Sequence, residues 1–473
     1  MLLPIARSGR PYRGRGLAGP LTLIAAMTTA VACRESVGLR PSTTILSPAA
    51  GGEAFEPTIG IDPANPDRLL AAAMYGIPFG RGGTGIWIWR SADGGLTWTD
   101  GRLDPPRFPD IVAAPTFAAD VIAGFAQDGT PVLASMSDLP PLGGTFLSRL
   151  AGDSLGAKSV PVYRNTIDSA AGRRVLHDKP WMIVDRDERS PHRGSIYLSV
   201  GAITTGLGPA GPGVDWRPLG SKVLLAVSHD DGRTFSSPTV VGDSSVFGGY
   251  LTLGPAGSLE VSYLRLKTKD GAGDAVFHRR SSDGGVTFGP ADTIAAMTGD
   301  TLLELPVLAA RPNGDLLACW SQGTRADERV NQVSCATRRS GGAWGPRRGI
   351  ESALPSGVVP AWPAVVGTEH GWYLMLYLVG AARTEVALFR SIDGQAFSRI
   401  ATLSAADGLG IDRTCVATAT ACRRTRKDGF AIGDYVTLSA AGSRLAAAYV
   451  LPRSNAPTSG AAIYVTTLPE PAR

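Results

Sequence analysis

Eight residues of this 473-residue chain pair reactive or aromatic side chains with a recurring position. Glu56, His177, Asp178, Lys179, Glu304, Trp362, Asp434 and Tyr435 all flank the start of a short apolar run. Carboxylates held near a lysine acquire divided pKa values, which proton transfer requires. Glu56 and Asp178 are therefore catalytic candidates. His177, Lys179, Glu304, Trp362 and Asp434 are candidates for holding a polar ligand. The competing reading is structural, since polar residues where strands begin also satisfy free backbone groups and bind internal water.

A second cluster, "SADGGLTW" at Ser91–Trp98, looks equally reactive, but it recurs. "SHDDGRTF" starts at Ser228 and "SSDGGVTF" at Ser281; "SIDGQAF" at Ser391 is a shortened copy, and "SGGAW" at Ser340 keeps only the frame. Each role in the motif is local. Asp93, Asp230 and Asp283 can accept hydrogen bonds from nearby backbone N–H groups. Gly95, Gly232 and Gly285 permit a left-handed backbone. Thr97, Thr234 and Thr287 can donate back to the Asp, with Ser91, Ser228 and Ser281 opening the turn. Trp98, Phe235 and Phe288 then turn inward. This is a staple for a hairpin.

The elements that must position the first group also repeat. Strand-like runs are anchored at Pro57, Pro115, Pro180, Tyr250, Pro306, Pro363 and Tyr435, about 60 residues apart. Most are followed by a turn and a second apolar run, such as "RLLAAAMY" or "SRLAAAYV". The runs are short, β-branched or aromatic, and bounded by Gly, Asp or Pro, which is strand chemistry. No amphipathic helix stands out. A four-stranded unit repeated this often is expected to be a β-propeller, because one blade cannot cover both faces of its own sheet. The anchors predict an all-β fold of seven four-stranded antiparallel blades, with six as the alternative. "TTILS" (Thr43–Ser47) would supply the last blade's fourth strand and close the ring. The stretches 206–220 and 405–427 read as insertions.

The three full motif copies resemble the Asp-box, or BNR, repeats of the sialidase-like propellers. The resemblance spans roughly Glu53–Leu468 and implies that these boxes lie at the blade periphery, away from any active site. Sialidases use three Arg to clamp a substrate carboxylate, a Tyr activated by Glu as nucleophile, and an Asp as acid/base. In that scheme Tyr435 would stand for the nucleophile and Asp178 for the acid/base. The Arg of the "RIP"-like motif has no counterpart, since its place reads "GGEAFEP"; "IPFGR" (Ile77–Arg81) comes later in another order. No Arg triad lies beside the anchors, and a fold does not confer its reaction.

The remaining chain bounds location and partners. Hydrophobic residues at 44% and charged residues at 18% exclude wholesale disorder. The formal charge of +5 owes most to Arg7, Arg10, Arg13 and Arg15. The remainder is nearly neutral, with no basic patch for nucleic acid. These Arg precede an apolar run, Leu21–Ala32, too short to span a bilayer, so residues 1–32 read as an export signal. Ala30-Val31-Ala32 fits ordinary cleavage. Before Cys33 the same residues resemble a bacterial lipoprotein box, with Ala30 where that box usually has Leu. Lipidation of Cys33 is the favoured expectation: Cys319 with Cys335 and Cys415 with Cys422 would form disulfides and leave Cys33 over. The layout is then a signal peptide 1–32, a tether 33–42 and one propeller 43–473, exported and either lipid-anchored in the cell envelope or secreted. No metal or cofactor site is evident. The expected function is binding of a glycan or protein at the central channel, by a monomer, without sialidase turnover. The alternatives are a sialidase-like glycoside hydrolase acting on extracellular glycans and a non-catalytic assembly or stability factor.

Overall fold

A computed structural model describes residues 41–47, 53–76, 84–111, 117–139, 142–151, 157–207, 219–265, 274–297, 301–324, 329–350, 354–407, 432–453 and 461–471. Seven antiparallel sheets follow one another along the chain as the blades of a propeller. Blade one shows the pattern, with strands Glu53–Ile61, Leu69–Gly76, Thr84–Ser91 and Thr99–Leu103 running from the axis outward. Blade three adds a three-residue strand, Thr166–Asp168, on its inner edge. In blade five the inner strand is split into Thr301–Leu303 and Val307–Ala310. Among the described residues the only helix is a single turn at Pro255–Gly257.

The ring closes as the sequence suggests. Ser42–Leu46 pairs with Ala461–Pro469, the third strand of blade seven, with Ser42 opposite Thr467 and Leu46 opposite Ile463. The core lies between blades. Ile59, Ala71 and Trp89 of blade one, for example, pack with Ala446, Ala448 and Val465 of blade seven. Small residues on the second strands, such as Ala71–Ala73 and Ala446–Ala448, are fully buried and let neighbouring sheets approach.

The Asp turns lie at the outer hairpins. In all three full copies the Asp accepts from the Thr backbone N–H and hydroxyl, and from the Ser hydroxyl. The Ser oxygen accepts in turn from the N–H of Gly95, Gly232 or Gly285. These bonds hold Asp230 and Asp283 at a pKa of about 2; for Asp283 the Thr287 hydroxyl is the leading cause, while for Asp230 burial opposes the Thr234 bonds. Trp98, Phe235 and Phe288 pack against separate inter-blade clusters. Cys319 and Cys335 face each other on adjacent strands of blade five and form a disulfide. Cys33, Cys415, Cys422, the signal segment and the Pro115 anchor lie outside the described residues.

Candidate functional site

The axial end of the propeller is built from one device used five times. The inner strand of blades one, two, three, four and six carries a bulge, in which two residues oppose one on the neighbouring strand. The first residue of each bulge is left-handed: Glu56 (φ 52), Asp120 (φ 49), Lys179 (φ 52), Gly248 (φ 69) and Trp362 (φ 48). Glycine takes this conformation freely; the other four strain the backbone by about 1–3 kcal/mol each. Three of them also precede proline, which ordinarily favours extended backbone. The reward for the strain is direction. Each bulge re-aims a side chain that would otherwise follow the pleat. Blade five breaks its inner strand at the same level, at Glu304–Pro306, and blade seven presents Asp434 and Tyr435 there.

Four blades meet at Lys179. Its Nζ lies 2.8 Å from Asp120 Oδ1, 2.6 Å from Asp434 Oδ2 and 3.3 Å from Glu56 Oε1. An ammonium has three N–H donors, and three carboxyl oxygens take them. The Asp178 carboxylate accepts from the Lys179 backbone N–H. Glu56 also accepts from the Asp434 N–H at 3.1 Å, and its own N–H donates to the Ile432 carbonyl. Between those two contacts sits Gly433 (φ 92), where an added Cβ would fall 2.1 Å from Glu56 Cγ.

The carboxyls do not share one protonation state. Burial pushes Glu56 well above the usual range, against the pull of Lys179 and with help from Asp120. Its Oε2 is buried without a hydrogen-bond partner. Burial also raises Asp178, to about 7, opposed by Lys179 and reinforced by Asp120. Burial would raise Asp120 too, but Lys179 and hydrogen bonds involving Glu56, Lys179 and Asp178 overcome it and hold Asp120 at about 2. Asp120 is therefore the fixed anion of the cluster. Lys179 is held cationic, because the surrounding carboxylates outweigh the effect of its burial.

Above this floor lies a recess whose lining includes Lys179, Trp181, Tyr250, Glu304, Ser321, Trp362, Asp434 and Tyr435. Glu56, Asp120 and Asp178 stand behind Lys179 and do not line it. Trp181 stacks on Tyr250 at 3.8 Å and meets Tyr435 edge-on at 6.1 Å. Trp362 donates its indole N–H to the Gly433 carbonyl. Asp434 is half-exposed and is the open carboxyl of the group. Burial raises Glu304 well above the usual range, and Asp434 adds to the effect. Among the described residues, Lys179 is the sole cation lining the recess and no arginine does so. No group of three or more His, Cys, Asp or Glu among them is arranged to hold a metal ion.

The structure thus brings Glu56, Asp178, Lys179, Glu304, Trp362, Asp434 and Tyr435 to one end of the axis. His177 is apart from the recess: its ring stacks on Tyr163, it sits 3.2 Å from Asn165 Oδ1, and burial lowers its pKa to about 4. Tyr435 donates its hydroxyl to the Val121 carbonyl, and burial holds it as a neutral phenol. That hydroxyl is committed to the backbone, with no glutamate base on it, so the arrangement of an activated tyrosine nucleophile is not met. Sequence reasoning missed Asp120 because it anchored blade two at Pro115. The run "FAADVIAGF" carried the available signal, an acidic residue four positions into an apolar strand, as Glu56 is in "EAFEPTIGI". Trp181 and Tyr250 were visible only as strand residues.

No protein-family profile matches the chain, and no curated protein matches it. Solved structures do match in overall form. An α-L-arabinanase of Penicillium chrysogenum, complexed with arabinobiose, is 14% identical with a TM-score of 0.45; the match covers 89% of this chain and 98% of that one. The Hadza microbial sialidase Hz136 is 14% identical with a TM-score of 0.44, over 88% of this chain and 66% of that one. The polysaccharide lyase Uly1 is 9% identical with a TM-score of 0.49, over 92% and 100%.

Proposed function

We propose that this propeller is an exported, surface-attached glycan-binding protein whose axial recess takes an uncharged or amino-bearing sugar and does not perform sialidase turnover. One observation carries the reading. Among the described residues the only cation lining the recess, Lys179, has all three donors taken by Glu56, Asp120 and Asp434, so no free cation is left to clamp a ligand carboxylate. What remains for a ligand is acceptor oxygen on Asp434, the carboxyl of Glu304, and the apolar surface of Trp181, Tyr250 and Trp362. Hydroxyls or an ammonium group suit the first, and the apolar face of a sugar ring suits the second. Export and attachment rest on the four arginines, the apolar run and Cys33 at the N-terminus.

The test is calorimetric titration with matched neutral, amino-bearing and sialylated oligosaccharides. Neutral or amino-bearing sugars are expected to bind, with loss on Trp181→Ala. Tighter binding of the sialylated member of a pair, or its hydrolysis, would overturn the reading.

A second reading is favoured by the Glu304–Asp434 pair. A carboxyl held protonated beside an open one is the division of labour that glycoside hydrolysis needs. Turnover of neutral 4-methylumbelliferyl glycosides, lost in both Glu304→Gln and Asp434→Asn, would replace binding by catalysis while leaving the substrate class unchanged.

A further inference from the structure

Blade five differs from its bulged neighbours where the inner strands reach the axis. Blades one to four and six keep a continuous, bulged inner strand. In blade five that strand is interrupted, with Leu303 paired to Gln322 on one side of the gap and Val307 to Cys319 on the other. Ser321 of the second strand lies opposite the gap, and its carbonyl accepts from the Glu304 N–H at 3.0 Å. Glu304 and Ser321 both line the axial recess.

Neither side chain has a hydrogen-bond partner. Ser321 is only 2% exposed, and its Oγ is buried with no hydrogen bond. Buried hydroxyls are seldom left so, and one that lines a recess is placed to bond something that enters it. The Glu304 carboxyl is held by no hydrogen bond either. Burial acts on it first and Asp434 next, both raising its pKa, while Lys179 opposes them only in part.

The charges around the recess leave a place for a cation. Lys179 is matched by Glu56, Asp120 and Asp434. Burial drives Glu56 toward its protonated form, but Asp120 is held ionised, so Asp120 and Asp434 already outnumber the lysine before Glu304 is counted. A further negative charge on Glu304 would go unanswered, and a cation in the recess would answer it. An ammonium group has three N–H donors and no acceptor. Asp434, Glu304 and Ser321 offer three acceptor groups. Trp181, Tyr250 and Trp362 supply the aromatic part of the lining, and both sugar rings and cations settle against aromatics. A ligand hydroxyl could meet Ser321, but it would leave the charge of the carboxyls as it is.

We infer that the recess recognises its sugar through a protonated amine, placed against Glu304, Asp434 and Ser321. This rests on the glycan-binding reading above and narrows it to the amino-bearing class. A proton count follows. Glu304 carries a proton when no ligand is bound, and an ammonium that makes it a carboxylate sends that proton into solvent. A neutral sugar releases none.

The experiment uses a glucosamine tetramer, its N-acetylated form and the glucose tetramer of the same linkage. Each is titrated calorimetrically into the full chain at mildly acidic pH, in buffers of different ionisation enthalpy. The glucosamine tetramer should bind at least about tenfold more tightly than the other two, as one charge-assisted hydrogen bond would give. It should release about one proton, and the uncharged tetramers none. Glu304→Gln should abolish the release and most of the preference. Ser321→Ala should weaken the glucosamine tetramer and leave its proton release intact. The proton count is read on the unaltered protein, so it stands even where a variant fails to fold. If either uncharged tetramer binds as tightly as the glucosamine form, or if the glucosamine form binds without proton release, the inference is overturned and glycan binding remains. Binding of none of the three removes the glycan reading and this inference together.

Discussion

Replacing Lys179 by Met deletes the cation on which blades one, two, three and seven converge, while keeping most of its stem. At the 2.8 and 2.6 Å contacts with Asp120 and Asp434, an effective dielectric of about 20 gives a gross attraction of roughly 6 kcal/mol each. Desolvation offsets much of that in the native protein. Removing one partner leaves the other charge buried alone, which costs about 3–5 kcal/mol. The loss should depend on pH with a definite sign. Asp120, held at about 2 against its ordinary 3.8, contributes stability that is present above the ordinary value and lost as pH falls through about 2. Without Lys179 that contribution disappears. Lys179 itself is raised above its ordinary value, so its own contribution is unchanged throughout the acid and neutral range. Urea denaturation of both proteins should therefore show the full gap near neutrality and a narrowing gap below about pH 4, with equal m-values. Equal midpoints at neutral pH, or a gap that persists undiminished in acid, would refute the account of Asp120 as the buried anion that Lys179 sustains.

Asp178 gives the opposite sign. Burial raises it to about 7, so its stabilising protonated state is complete below the ordinary 3.8 and is lost as pH rises through about 7. Asp178→Asn keeps a neutral side chain there, and thermal melts should find it more stable than the parent at mildly alkaline pH but not in acid. In blade five, Cys319→Ala with Cys335→Ala opens a cross-link spanning 16 positions and should lower stability by about 3 kcal/mol, read as a fall in the urea midpoint.

What the sequence could disclose follows from the range of each interaction. The Asp turns are legible because the bonds that the Ser, Asp and Thr side chains make within "SADGGLTW" join residues no more than four apart, so the motif is complete in one line of text. Ring closure is legible for a similar reason: a short strand-like run was missing its blade at one end of the chain, and a blade was missing a strand at the other. The axial cluster is different. Lys179 is 123 positions from Glu56 and 59 from Asp120, and only the curvature of the ring brings them together. Proline marked three of the bulges, at Pro57, Pro180 and Pro363, and flagged their neighbours as candidates. Val121 follows Asp120 instead, and the residue that becomes the anion of the site passed unnoticed. The protonation pattern was further out of reach, because it depends on burial. Glu56 and Asp120 are both carboxyls on equivalent bulges beside the same lysine, yet one is driven up and the other down. A ring can hold so many acids around one base only by dividing their protons in this way. The same division spends the lysine internally, with its three donors on Asp120, Asp434 and Glu56.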